Sequence, residues 1–163
     1  MLKKIVLIAV AATPAFAETA DIEGQVQAKC IIQTDTSGVY GNPTADKLTT
    51  ASASGGVAPV VRYDVAIADY YYAKITYPTS FTTSPALDDV VNWTGSVATS
   101  TVSDAGMSAY DAAATTYNST YEFDLSIAGS TWFEIESVAE YGYGKAFPAG
   151  TYRSVVVAEC IAQ

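Results

Sequence analysis

The chain has 163 residues, with 17 acidic and 8 basic side chains, two cysteines and no histidine. Without histidine there is no Ser-His-Asp triad, no Cys-His pair and no His-ligated zinc or haem. The acidic surplus of nine argues against docking on a phosphate backbone, so no nucleic-acid partner is expected.

Residues 1–17 read as a secretory leader. Lys3 and Lys4 give the positive start, a short apolar run follows, and Ala15-Phe16-Ala17 supplies small residues at the −3 and −1 positions of a cleavage site. Residues 18–163 then form one domain, with six basic against 17 acidic groups, a net −11. No later apolar run is long enough to span a bilayer, so no membrane span is expected in the mature chain.

Beyond the leader, period-two alternation dominates. Ile22, Gly24, Val26, Ala28, Cys30 and Ile32 share one face of a first strand. A turn-rich stretch follows, with a short strand over 46–50 that points Leu48 inward. Val61, Tyr63, Val65 and Ile67 alternate again, and a strand over 71–77 is ended by Pro78. Residues 90–102 form the next strand, with Val91, Trp93, Gly95 and Val97 in phase. Residues 104–116 read as a loop with one helical turn. Tyr121, Phe123, Leu125 and Ile127 alternate, residues 132–138 return, and residues 151–161 form the last strand after a glycine-rich connection. Tyr152, Val156, Ala158 and Cys160 share its inward phase.

One internal echo has a constant offset of 60. Tyr63-Asp64-Val65-Ala66-Ile67-Ala68 is matched by Phe123-Asp124-Leu125-Ser126-Ile127-Ala128, and Ile75 by Ile135. Each copy reads as a hairpin. Seven or eight strands and no long helix predict an all-β, antiparallel immunoglobulin-like β-sandwich, with a barrel as the other arrangement. In a secreted chain, Cys30 and Cys160 pair most simply as one disulfide, closing a loop of roughly 130 residues between the first strand and the last.

Two segments carry a resemblance. Ile22-x-Gly24-x-Val26 followed by Cys30 resembles the opening strand of fimbrial subunits assembled by the chaperone–usher route, including the spore-coat-U-like branch. Pro148-Ala149-Gly150-Thr151-Tyr152, running into Val155-Val156-Val157, resembles their entry to the C-terminal strand. Together these positions cover about 25 residues. The resemblance implies a sandwich lacking one strand, completed by a strand from a neighbouring subunit through backbone pairing and alternate side-chain pockets. It also implies a periplasmic chaperone, an outer-membrane usher and a fimbrial location at the cell surface. Ala20, Ile22, Gly24, Val26 and Ala28 are the candidate pairing strand; Gly150, Tyr152, Val156 and Ala158 mark the C-terminal strand. The family pairs its first-strand cysteine with one on a nearby second strand, whereas here the partner lies in the last strand.

The expected function is therefore a secreted structural subunit of a bacterial surface filament or extracellular matrix, with other copies or related subunits as partners. The alternative is a carbohydrate- or surface-binding module in which Tyr70, Tyr71, Tyr72, Trp93 and Trp132 stack on sugar rings, although Trp93 and Trp132 fall at core-facing positions. An enzyme is not expected. Asp88-Asp89 and the Glu134/Glu136 pair read as solvated charge rather than an acid–base pair. No cofactor is expected; Asp35, Asp46 and Asp88-Asp89 lie in oxygen-rich loops that suit calcium, without an EF-hand spacing. Asn92-Trp93-Thr94 and Asn118-Ser119-Thr120 match glycosylation acceptors.

Overall fold

The computed structural model describes residues 29–163. The leader and the candidate pairing residues Ala20, Ile22, Gly24, Val26 and Ala28 lie outside the described residues. In chain order the strands are β1 (Cys30–Thr36), β2 (Gly41–Thr44), β3 (Lys47–Thr49), β4 (Val60–Val65), β5 (Tyr71–Thr76), β6 (Val91–Val102), β7 (Thr115–Tyr117), β8 (Thr120–Asp124), β9 (Gly129–Tyr141) and β10 (Val157–Ala162). They form two antiparallel sheets, one of six strands and one of four. The all-β expectation holds, with ten described strands instead of seven or eight. The extra ones, β2 and β7, have four residues or fewer, too short to show a period, and β3 is the short strand expected over 46–50.

The six-stranded sheet is organised by β9. Thr131, Phe133, Ile135, Ser137, Ala139 and Tyr141 alternate inward and are buried, while Glu134, Glu136 and Glu140 face solvent. One side of β9 pairs with β6 from Val91↔Tyr141 to Val102↔Thr131. The other side is shared: β4 takes Gly129 to Glu134, and β3 takes Val138 to Glu140. β1 lies outside β4, and β2 lies outside β3. The second sheet runs β10-β5-β8-β7.

The sheets meet over a core of Tyr63, Ile75, Phe123, Phe133 and Ile135, all fully buried. Burying each such side chain stabilises the fold by roughly 1.5–3 kcal/mol. The Phe133 ring meets Tyr63 edge-on at 5.6 Å and Phe123 at 4.4 Å. A 3-10 turn, Ala105–Ala109, and one α-helical turn, α1 (Tyr110–Ala113), close one side and drive Met107 and Tyr110 into this core. The loop with one helical turn expected over 104–116 is thus present, with β7 added at its end.

The 60-residue echo is real in burial but is not a pair of hairpins. Tyr63 and Phe123, Val65 and Leu125, and Ile75 and Ile135 are all buried. However, β4 and β5 belong to different sheets, as do β8 and β9. Each copy is an arch that leaves one sheet and enters the other, in opposite directions. Asp69 (φ 56°) lies in the first connection; Gly129 (φ 142°) ends the second, where a Cβ would also strike Ser103 and Met107. The arches touch: Asp69 N–H donates to the Leu125 carbonyl, and Leu125 N–H to that of Tyr71.

Two further expectations are corrected. The last strand begins at Val157, not at 151, because its partner β5 ends at Thr76 just before Tyr77-Pro78 and leaves residues 151–156 without a ladder. Trp132 does not face the core. It alternates with buried Thr131 and Phe133, is half-buried on the outer face, and lies under the Arg62 guanidinium at 5.6 Å.

Candidate functional site

β1 and β10 are edge strands of opposite sheets, and they meet along one seam of the molecule. At one end of that seam Cys30 and Cys160 form a disulfide with Cα atoms 6.4 Å apart. The two residues begin β1 and near the end of β10 respectively, so the bridge ties sheet to sheet. Beside it, the Tyr63 hydroxyl crosses between layers and donates to the Glu159 carbonyl at 3.1 Å. Burial, reinforced by the nearby Glu159 carboxylate, pushes the Tyr63 phenol well above its ordinary range.

At the other end the seam opens into a groove of about 640 Å³. Its floor is Leu48, Val61 and the buried hydroxyl residues Thr50 and Ser137. One wall runs from Thr34 through Val39 and Tyr40; the other is the chain from Gly150 to Val156. The floor is polar only where it is satisfied: Thr50 N–H donates to the Ser137 carbonyl at 3.0 Å, and Ser137 N–H to Thr50 Oγ1 at 2.9 Å. The Tyr40 hydroxyl reaches across to Ser154 Oγ at 2.6 Å and to Ser137 Oγ at 3.3 Å. Beyond Thr34 the β1 edge has no strand on its outer side among the described residues.

The C-terminal motif frames this groove. Gly150 backs onto Pro85, whose Cγ lies 2.5 Å from where a Cβ would stand. The Tyr152 hydroxyl closes the turn by donating to the Pro148 carbonyl at 2.7 Å. Its ring joins an aromatic end-cluster with Phe81 at 5.0 Å and Phe147 at 5.1 Å. Phe81 in turn meets Trp93 at 4.7 Å and Tyr40 at 6.3 Å. Val156 and Ala158 pack on the main core from β10 and its approach. Thus Cys30, Cys160, Gly150, Tyr152, Val156 and Ala158 fall along one seam. Tyr40, Thr34 and Ser154 were not anticipated. Tyr40 sits in the turn-rich stretch, Thr34 near the end of β1 and Ser154 on the chain before β10, polar positions that apolar alternation does not mark.

The candidate sugar-stacking aromatics do not converge. Tyr71 and Tyr72 are on β5 in one sheet; Trp93 and Trp132 are on β6 and β9 in the other. Trp93 is engaged with Phe81, and Tyr70 packs edge-on against Tyr71 at 4.8 Å. The paired carboxylates also diverge. The Tyr141 hydroxyl and, after it, Lys145 hold the Asp88 carboxyl below its usual range, while Asp89 accepts from Val90 N–H. Among the described residues no three His, Cys, Asp or Glu side chains gather to hold a metal, and no helix is long and apolar enough to cross a membrane.

Geometry and chemistry together define an all-β protein of two antiparallel sheets, locked edge to edge by one disulfide. Comparison with models of known families, with curated proteins and with solved structures gives no match to this chain.

Proposed function

We propose that the chain is a secreted structural subunit of a bacterial surface filament or extracellular matrix, built by β-strand pairing between copies or related subunits. The observation that carries this reading is the groove at the open end of the seam, with its apolar floor and its unpaired β1 edge. An inserted strand would pair its backbone along β1 and send every second side chain toward Leu48 and Val61. Ala20, Ile22, Gly24, Val26 and Ala28 have that alternation, and they precede β1 directly. Residues 27–29, Gln-Ala-Lys, hold no glycine, asparagine or proline to turn the segment back on its own β1, which favours donation to a neighbour. Under this reading the sandwich is immunoglobulin-like and incomplete, the leader directs export through the periplasm, and a chaperone and usher handle the open edge.

Size exclusion and negative-stain microscopy of the mature, oxidised protein test the proposal. High-mass β-rich assemblies are expected, and deletion of residues 18–29 should abolish them. Assemblies that persist after the deletion overturn the donor assignment; a monodisperse monomer at every concentration overturns the reading as a whole.

A further inference from the structure

A second edge differs from every other edge of the two sheets. β6 has 12 residues, VNWTGSVATSTV, with no charge and no proline. Of the other described edges, β1 is the one assigned above to a donor strand, and the rest each carry a feature that discourages pairing. β2 has Pro43; β7 has three residues; β10 has Glu159 and the disulfide. β6 is defended only at its far end. There a bulge lies at Thr99/Thr101, and the Asp111 carboxylate accepts from both Thr99 N–H and Thr99 Oγ1 at 2.8 Å.

The geometry says which backbone groups are left open. Tyr141 N–H and Ile135 N–H point away from β6, to the Asp46 and Pro59 carbonyls. The odd-numbered residues of β9 therefore bond on the β3/β4 side, and the even-numbered ones bond to β6. By the pairing register, Asn92, Thr94, Ser96 and Ala98 are the laddered residues of β6. Val91, Trp93, Gly95 and Val97 turn their N–H and C=O groups to the outside, as Thr99 does before Asp111 takes its N–H. Among the described residues none of those four has a backbone partner on that side.

We propose that residues 91–97 of β6 pair antiparallel with the same residues of a second copy, joining the two six-stranded sheets into one across a two-fold axis. A second copy is the occupant the strand itself fits, because an antiparallel copy meets each of the four open residues with one of the same set. The chain carries a net −9, and a self-contact is least opposed where the strand is neutral. The register follows from using all four open residues and none of the capped one. Val91 pairs with Val97 of the second copy, Trp93 with Gly95, and Thr94 faces itself on the axis. Each hydrogen-bonded pair exchanges two bonds, so about eight new N–H···O bonds form. Thr94 against Thr94 is a favourable cross-strand pair, and Gly95, already covered by the Tyr77 ring, brings no side chain of its own to the contact. This contact lies on a different strand from the groove and does not rest on the donor-strand reading.

The test uses the full mature chain with its disulfide intact. Sedimentation velocity from about 1 to 500 µM should show a concentration-dependent dimer, distinct in mass from any filament. Thr94→Lys places two cations face to face on an exposed position and should weaken the dimer at least tenfold while leaving the melting temperature unchanged. Thr94→Cys should give a disulfide-linked dimer on mild oxidation, since opposed non-hydrogen-bonded residues have Cα atoms about 4.5 Å apart. Ser96→Cys, which faces Asn92 in this register, should cross-link at least tenfold less. A wild type that stays monomeric over the whole range overturns the inference. So does a dimer indifferent to Thr94→Lys, or equal cross-linking at 94 and 96. If residues 18–29 are needed for filaments and Thr94→Lys leaves filaments intact but removes the dimer, both readings stand separately.

Discussion

Replacing both bridge cysteines, Cys30→Ala with Cys160→Ala, removes the disulfide cross-link between the two sheets. The bridge spans a sequence separation of 130. In the chain-entropy model a loop of that length restricts the unfolded ensemble by about 5 kcal/mol at room temperature. Domains of this size are stable by roughly 5–15 kcal/mol, so the loss is a large fraction of the total. The folded state loses less, because both residues are half-buried and their neighbours Ala73 and Val65 stay laddered. With a urea slope of roughly 2–3 kcal/mol per molar, the unfolding midpoint should fall by about 2 M. Equilibrium urea unfolding followed by far-UV circular dichroism measures this, and reduction of the wild type should reproduce it. A midpoint drop under about 0.5 M in the double variant refutes the reasoning, since the loop-closure effect scales with the span of the bridge and not with local packing.

Three other outcomes follow from the packing. Tyr63 has a folded pKa above its unfolded value near 10, so its contribution is intact below about pH 10 and is lost as pH rises further. Alkaline melts should show this loss, and Tyr63→Phe should flatten it while costing about 1 kcal/mol at neutral pH from the bond to Glu159. Gly95→Ala should destabilise by about 1–3 kcal/mol in thermal unfolding, because the new Cβ meets the Glu136 carbonyl at 2.6 Å and Tyr77 Cγ at 2.7 Å. Phe81→Ala should cost about 2–3 kcal/mol and shift Trp93 emission to the red, as the ring links Trp93, Tyr40, Phe147 and Tyr152.

Much of the strand content was legible because burial on one face imposes period two. Val61-Tyr63-Val65, Phe123-Leu125 and the inward Leu48 all fall as the alternation requires. The disulfide was legible from an even cysteine count behind a segment that reads as a leader. Period two, however, says nothing about a strand's partner. The connections at 66–70 and 125–128 look like hairpin turns in composition, yet each carries the chain into the opposite sheet. Nor does it tell which face of a long strand looks out: Trp132 is apolar enough for the core, but the buried Thr131 and Phe133 fix it on the other side. The valines at 155–157 extend the last strand in sequence, but a strand needs a neighbour, and β5 stops at Thr76. The groove was invisible for the same reason. Tyr40 and Ser154 are 114 positions apart and meet only through tertiary structure.

The bridge at the seam also decides how the chain bears tension. A pull applied through Lys29 at one end and Gln163 at the other travels from Cys30 across the sulfurs to Cys160 and out through three residues. The residues between the two cysteines lie off that load path. At about 3.4 Å per residue, roughly 440 Å of potential extension is withheld from stretching. If copies are joined end to end as proposed, force loads the joints between them and leaves the residues inside each bridge slack.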